Sequence, residues 1–246
     1  MMYQALAKIY DDIMTRVDYR AWVNFVWQAH SMLALPYPTQ AIDLAAGTAG
    51  AGLELAQRGV DVLAIDLSSE MLARAKERAL GLGLSGKFRF LEMDLALWRA
   101  PQEQYGLALC FCDGLNYLPR QALAGLFVQV AAALTPGSLF IFDLNTPFKY
   151  QVVFADNVFA ENFPTCSYIW ENSLQEESCN FQLTLFLKEG QLYQKHQENH
   201  TQYIYTMEEI AQYLATAGFS WRGIFDNYRW LEPSDECQRW TIIAQR

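Results

Sequence analysis

Four things are scarce or missing in this sequence, and each absence removes a class of function. Its five cysteines (Cys110, Cys112, Cys166, Cys179, Cys237) include no Cys-x-x-Cys pair; an odd, scattered set fits free thiols in a reducing cytoplasm better than a disulfide framework. No window approaches the ~18 consecutive apolar residues of a spanning helix. Met1-Met2-Tyr3-Gln4 starts no basic region followed by a long apolar run, so neither a membrane span nor a signal peptide is expected. Basic charge is short: 18 Lys and Arg stand against 27 Asp and Glu, for a formal net charge of −9, with no Lys/Arg cluster. That balance argues against a nucleic-acid backbone as the main ligand. Histidine is rare, with only His30, His196 and His200, so a site that relies on an imidazole must draw on these three.

What is present is apolar and periodic. Hydrophobic residues make up 52% of 246, enough to bury a sizeable core in one large α/β domain or a domain with an insertion. The chain is organised around Ala41 to Gly52, Ala-Ile-Asp-Leu-Ala-Ala-Gly-Thr-Ala-Gly-Ala-Gly. An apolar strand ending in Asp43-Leu44 gives way to small residues, and the run Leu53, Leu55, Ala56 begins a helix. A strand, tight turn and helix of this kind brings a nucleotide-like cofactor against the main chain, where a Cβ would obstruct it. The plain alternative is a strand-to-helix turn with no ligand.

The segments around it alternate. Residues 3 to 35 read as helical, with Tyr3, Leu6, Ile9, Tyr10, Ile13 and Met14 at helical spacing and an apolar block from Trp22 to Trp27. Val60 to Ile65 is a short strand that ends in Asp66, 23 residues beyond Asp43, about where Rossmann-like folds place a carboxylate on ribose hydroxyls. Ser68 or Ser69 opens an amphipathic helix carrying Met71, Leu72, Ala75 and Ala79 on one face. Phe88 to Met93 is a strand ending in Asp94, and Leu107 to Cys112 is a buried strand. Cys110 and Cys112 would share a face of that strand, either as small buried hydrophobes or as two thiolate ligands that lack companions. Arg120 to Leu134 is a helix stopped by Pro136-Gly137, and Ser138 to Leu144 is a fifth strand. Beyond it Tyr168 to Trp170, Phe181 to Leu187 and Gln191 to Gln202 read as strands. Thr206-Met207-Glu208-Glu209 is a capping box, and Trp221 to Phe225 and Trp240 to Ala244 are closing strands.

With Asp43 at the strand end, the turn resembles motif I of the class I S-adenosylmethionine (SAM) methyltransferases, commonly Asp-x-Gly-x-Gly-x-Gly, with Ala45 in the first glycine place and Ala49 and Gly50 near the last. Five segments across residues 3 to 145 are similar to that family in order and spacing. The resemblance implies an α/β, Rossmann-like fold with a seven-stranded, mostly parallel sheet and an inserted antiparallel β lid. Residues 1–147 would hold cap helices and the cofactor-binding core, 148–205 the lid over the substrate, and 206–246 the completion of the sheet. It implies SAM as cofactor and a small-molecule methyl acceptor at N or O. Tyr10 (with Asp11), Tyr19 and Trp22 would close over the cofactor, and Ala45 and Gly47 would let its methionine portion approach the backbone. Asp66, followed by Leu67, would face the ribose. Met71 and Leu95 would sandwich the adenine, Asp94 would accept from its amino group, and Cys112 would stand at the motif IV position beside the transferred methyl. No Asn/Asp-Pro-Pro-Tyr/Phe sequence occurs there.

Methyl transfer from a sulfonium is an in-line displacement that calls for alignment in a dry pocket and no metal. A nitrogen or oxygen acceptor does need a base. Glu198-Asn199-His200-Thr201-Gln202-Tyr203 resembles the lid-strand pattern Glu-x-His-x-Gln-Arg of related methyltransferases, with Tyr203 where Arg is frequent. This makes His200 the candidate catalytic residue, against the alternative of a solvent-exposed strand histidine. Three rival functions remain open at this point: an NAD(P)-dependent oxidoreductase, a methyltransferase acting on RNA, and a SAM-fold binding subunit without catalysis.

Overall fold

The expected helix over residues 3–35 is interrupted. A computed structural model of the chain describes residues 5–101 and 104–246, so Tyr3 lies outside the described residues. Single turns cover Leu6–Lys8, α1 (Tyr10–Ile13) and Met14–Arg16 before a full helix, α2 (Tyr19–Met32), begins. Asp18 sets that boundary. Its carboxylate accepts from the Ala21 amide at 2.9 Å, satisfying a first-turn N–H that a continuous helix would have bonded to a carbonyl.

From residue 40 the chain alternates as its periodicity predicts: β1 (Gln40–Leu44), α3 (Gly50–Gln57), β2 (Asp61–Asp66), α4 (Ser69–Gly81), β3 (Phe88–Glu92), β4 (Tyr105–Cys110), α5 (Arg120–Ala133) and β5 (Leu134–Asn145). Ser68 caps α4, its hydroxyl accepting from the Met71 amide at 3.2 Å. Then come β6 (Val158–Asn162), β7 (Cys166–Leu174), β8 (Ser178–Glu189) and β9 (Leu192–Tyr203), followed by α6 (Met207–Thr216), β10 (Ser220–Asp226) and β11 (Arg239–Gln245). The capping box of Thr206 and Glu209 is formed at the start of α6.

Seven strands make one sheet in the order β10-β11-β5-β4-β1-β2-β3. It is parallel except for β11, which runs antiparallel to both neighbours, and it is the mostly parallel sheet expected above. Its central strands are near-continuous apolar runs because both faces are covered. Val26 of α2, Leu55 of α3 and Ala75 of α4 pack on one face, and Phe127 of α5 and Leu214 of α6 on the other. β1 pairs in parallel with β2 on one side and β4 on the other, and a reversal of strand order there leaves a crevice at the strands' carboxyl ends.

The remaining four strands form a separate antiparallel sheet, β6-β7-β8-β9. Along β9, Glu198, His200 and Gln202 are buried while Asn199 and Thr201 between them are exposed, so the strand's two-residue period turns a polar face inward. Ala5 and Ile9 of the N-terminal segment pack against Leu183, Leu185 and Leu187 of β8. Tyr150 and Phe154, on a helical turn spanning Lys149–Phe154, pack against Cys179 and Phe181.

One strand expectation is corrected. β4 ends at Cys110, and Cys112 and Asp113 both take left-handed backbone, φ 59° and 52°, so the two cysteines do not share a strand face. The cause is the Asp143 carboxylate, which collects the amides of Cys112 and Asp113 at 2.8 and 2.5 Å and turns the chain. All five cysteines are free thiols, and no helix of the described residues is long and apolar enough to cross a membrane.

Asp43 at the end of β1 is buried and accepts from the Gly52 amide at 3.0 Å. Burial pushes its carboxyl up to about 7, against the pull of that hydrogen bond. The folded chain therefore holds the proton up to about pH 7, while the unfolded chain releases it near the usual carboxylate value of roughly 4. Stability should fall as pH rises across that window, by on the order of 2–4 kcal/mol. Denaturant titrations from pH 4 to 8 should show this slope in the wild type and a flatter one in Asp43→Asn.

Candidate active site

The turn between β1 and α3 is built from alternate left-handed residues: Ala45 at φ 49°, Gly47 at 55° and Ala49 at 58°. Alanine tolerates this region at a cost of about 1–2 kcal/mol each, so the two departures from glycine keep the backbone path. At Gly47 a Cβ would meet only the Tyr10 ring, at 3.9 Å, which leaves the backbone open to a ligand. At Gly50 it would strike the Tyr19 ring at 2.5 Å, so glycine is needed there to seat the tyrosine. The Asp66 carboxylate at the tip of β2 accepts from the Gly47 amide at 2.7 Å and the Ser68 amide at 2.8 Å. Burial raises its pKa, and these backbone donors oppose the rise.

β2 and β3 end side by side, with Asp66 paired to Glu92 and the Met93 amide bonded to the Asp66 carbonyl at 2.9 Å. Asp94 follows within two residues, so two acids stand at neighbouring strand tips. Asp94 accepts from the Ala96 amide at 2.8 Å, and Leu95 beside it is buried. Leu67 is half exposed and free to meet a ligand, whereas Met71 is 2% exposed within α4. An open glycine backbone, a carboxylate fixed beside it and a second at the next strand tip fit an adenosyl cofactor: hydroxyls on one acid, an exocyclic amino group on the other.

The N-terminal segment is fastened over this turn. Arg78 of α4 donates to the Thr48 carbonyl at 3.0 Å and to Asp11 at 2.9 Å, and the Thr48 hydroxyl donates to Asp11 at 2.7 Å. Tyr10 is half-buried, and desolvation pushes its phenol well above the ordinary value, assisted by the nearby Cys112, Tyr19, Asp113 and Tyr117. Tyr19 is likewise raised by burial and shares a side-chain hydrogen bond with Cys112. Tyr10, Tyr19 and Cys112 are thus brought together at the turn. Trp22 has other company: it stacks on Tyr228 at 4.1 Å and meets Phe111 and Tyr19 edge-on, which sets it behind Tyr19.

The inward face of β9 completes the wall. His200 is buried, which removes the solvent-exposed alternative. Its Nε2 lies 3.3 Å from Glu198 Oε2, and its ring is 6.1 Å from that of Tyr117. The other Glu198 oxygen accepts from the amides of Ala5 and Leu6 at 2.9 and 3.3 Å. Gln202 donates to Asp113 at 2.6 Å and accepts from Asn145 and Tyr150 at 3.2 and 2.8 Å.

Several residues of this site have no local signal in the sequence. Asp143, fully buried, accepts from Cys112, Asp113 and the Tyr228 hydroxyl, and Arg239 pairs with both Asp143 and Asp113, at 2.8 and 2.7 Å. Asp143 is legible only as the acid that ends an apolar strand. Arg239 and Lys149 are single residues far along the chain.

Comparison with known proteins shows the family of the chain. Residues 41–137 match the model of a family described as a methyltransferase domain. Over its whole length the chain is 30% identical to a Bacillus subtilis (strain 168) protein that carries the name "Putative methyltransferase YqeM", 98% of which is covered. A crystal structure of an S-adenosylmethionine-dependent methyltransferase from Clostridium acetobutylicum aligns with a TM-score of 0.89 at 28% identity, over 100% of this chain and 99% of that one. SAM-bound CalS10, an amino pentose methyltransferase from Micromonospora echinaspora, aligns with a TM-score of 0.75 at 15% identity over 100% and 98% of the two chains, which is a likeness of fold. The chain belongs to the SAM-dependent methyltransferase family, and S-adenosylmethionine is its cofactor.

Removing Asp143 would leave Arg239 half-paired and two left-handed amides without an acceptor. Asp143→Ala should cost about 3–5 kcal/mol of unfolding free energy in urea titrations. Breaking the exposed Arg74–Glu77 pair with Glu77→Ala should change stability by less than about 1 kcal/mol.

Proposed function

We propose that this methyltransferase acts on a nitrogen or oxygen of a small molecule, with His200 as proton acceptor and the four-stranded sheet as a lid over the acceptor. The observation that carries the reading is the buried polar face of β9, Glu198, His200 and Gln202, which meets Tyr117 and Asp113, both near the Tyr10 that stands beside Gly47. SAM, when bound, supplies a methyl on a sulfonium that departs as a neutral thioether. The chain's own task is then to hold, to keep dry and to take a proton. Asp66 holds the ribose hydroxyls, Asp94 and Leu95 the adenine, and Gly47 leaves room for the methionine portion. Tyr10 and Tyr19 exclude water from the turn, with Cys112 beside them.

Glu198 divides its labour between the N-terminal segment and the His200 imidazole, whose orientation it favours. An imidazole so placed can take the proton of an amine or hydroxyl acceptor. The acidic balance of the chain supports a small acceptor over RNA, and the amino pentose named for CalS10 is one amine acceptor handled by this fold. The five free thiols support a reducing cytoplasm as the working compartment.

Two measurements test the reading. Isothermal titration should show S-adenosylhomocysteine binding that weakens about 10–100-fold in Asp66→Ala, the range for a hydrogen bond to a charged group; equal affinity in the variant overturns the ribose role. Incubation with SAM and a library of small amines and hydroxyl compounds should yield methylated products by mass spectrometry, with turnover reduced about 10²–10⁴-fold in His200→Asn and cofactor affinity kept. Methylation of RNA alone, or full turnover in His200→Asn, contradicts the proposal.

A further inference from the structure

We infer that the cavity at the carboxyl end of β10, beside β5, is a subsite for a carboxylate carried by the methyl acceptor, with Lys149 as its anchor; this rests on the acceptor reading above. The cavity has a volume of about 490 Å³, and its wall includes Lys149, Arg229, Arg239, Asp226 and Glu236. Two of the three cations are already neutralised: Arg239 by Asp113 and Asp143, and Arg229 by Asp226. Lys149 is different. Its ammonium donates one hydrogen bond, to Asn145 Oδ1 at 2.8 Å, and lies over the Phe154 ring at 4.9 Å. Among the described residues no carboxylate forms an ion pair with it. An ammonium has three donors, so two remain for a ligand in the cavity.

The charges around Lys149 narrow the ligand class. Burial above all, and Arg239 on β11 next, push its pKa down to about 8; Asp113 and Cys112 after β4, and Asp143 on β5, work the other way without restoring it. Across the cavity stand Asp226 and Glu236. A dianionic phosphate would meet these acids with one cation to answer two charges, whereas a single carboxylate matches one ammonium with two free N–H groups. The subsite is also close to the chemistry. Asn145, the partner of Lys149, bonds to Gln202, and Gln202 bonds to Asp113, so one relay of amides separates the anchor from the turn after β4.

Trace acetylation tests this without knowledge of the acceptor, because only a neutral amine reacts and each lysine peptide is read separately by mass spectrometry. With the protein saturated by S-adenosylhomocysteine, Lys149 should titrate near pH 8. Propionate, a monocarboxylate, should move that point upward by about one pH unit, lowering labelling at pH 8 several-fold, roughly 5–10-fold, while the five other lysines stay unchanged and chloride at equal ionic strength has no effect. Unchanged labelling at Lys149, an equal effect of chloride, or protection by inorganic phosphate in place of propionate overturns the proposal. Ligand-observed NMR should show propionate binding lost in Lys149→Met and retained in Lys149→Arg, with S-adenosylhomocysteine affinity kept in both. Loss of cofactor affinity in the wild type would instead undo the methyltransferase reading, so the two failures are told apart.

Discussion

The Asp143 carboxylate is the point on which the site depends. It has no exposed surface, and a bare charge there would cost several kcal/mol. Four groups from three parts of the chain make it tenable: the amides of the adjacent Cys112 and Asp113, the Tyr228 hydroxyl and the Arg239 guanidinium. Each partner is positioned by the acid in return. The turn after β4 is left-handed because both its amides point at one carboxylate, and the connection between β10 and β11 is drawn against β5 through Tyr228. Arg239 then extends the tie to Asp113, and Gln202 carries it into the second sheet. Burial of one charge thus fixes the relation of core, closing strands and second sheet at the crevice.

The core was legible in the sequence because its strands are apolar runs and its turns are punctuated. β1 runs into the small-residue turn, β2 ends in Asp66 and β3 is followed by Asp94, and a crevice at their tips follows from strand order alone. Ala45 and Ala49 looked like departures from a cofactor turn. They take the same left-handed backbone that glycine would, so a composition difference left the shape intact. The N-terminal helix was overextended because helical spacing of apolar residues does not distinguish one helix from three short turns in register. Asp18 decided it. β6 and the turn at Lys149–Phe154 were invisible for a different reason: Val158 is 60% exposed and Phe159 36%, so the strand lacks the alternation by which strands are recognised. Cys112 is expected on the same strand as Cys110, and a side chain 31 residues further along, Asp143, turns the chain before it.

Residues that act through long-range pairs were the least legible. Arg239 and Lys149 carry no motif that separates them from surface charges. Their meaning comes from burial and from partners that the fold brings close. His200 shows the contrast. Strand period puts it on one face or the other, but the packing of Ala5 and Ile9 on β8 and the nearness of Tyr117 are what make its face an interior one.

The N-terminal segment therefore has two jobs that cannot be separated. Asp11, held with Thr48 by Arg78, lays Tyr10 over the glycine turn, and the amides of Ala5 and Leu6 a few residues earlier occupy one oxygen of Glu198 while the other faces His200. Lifting the segment would uncover the cofactor turn and free a buried carboxylate oxygen next to the imidazole in the same motion. An unsatisfied buried carboxylate is costly, so the closed arrangement is favoured from both ends. Covering the glycine turn and setting the partner of His200 are a single packing event, in which a short strap ties the turn after β1 to β9 of the second sheet.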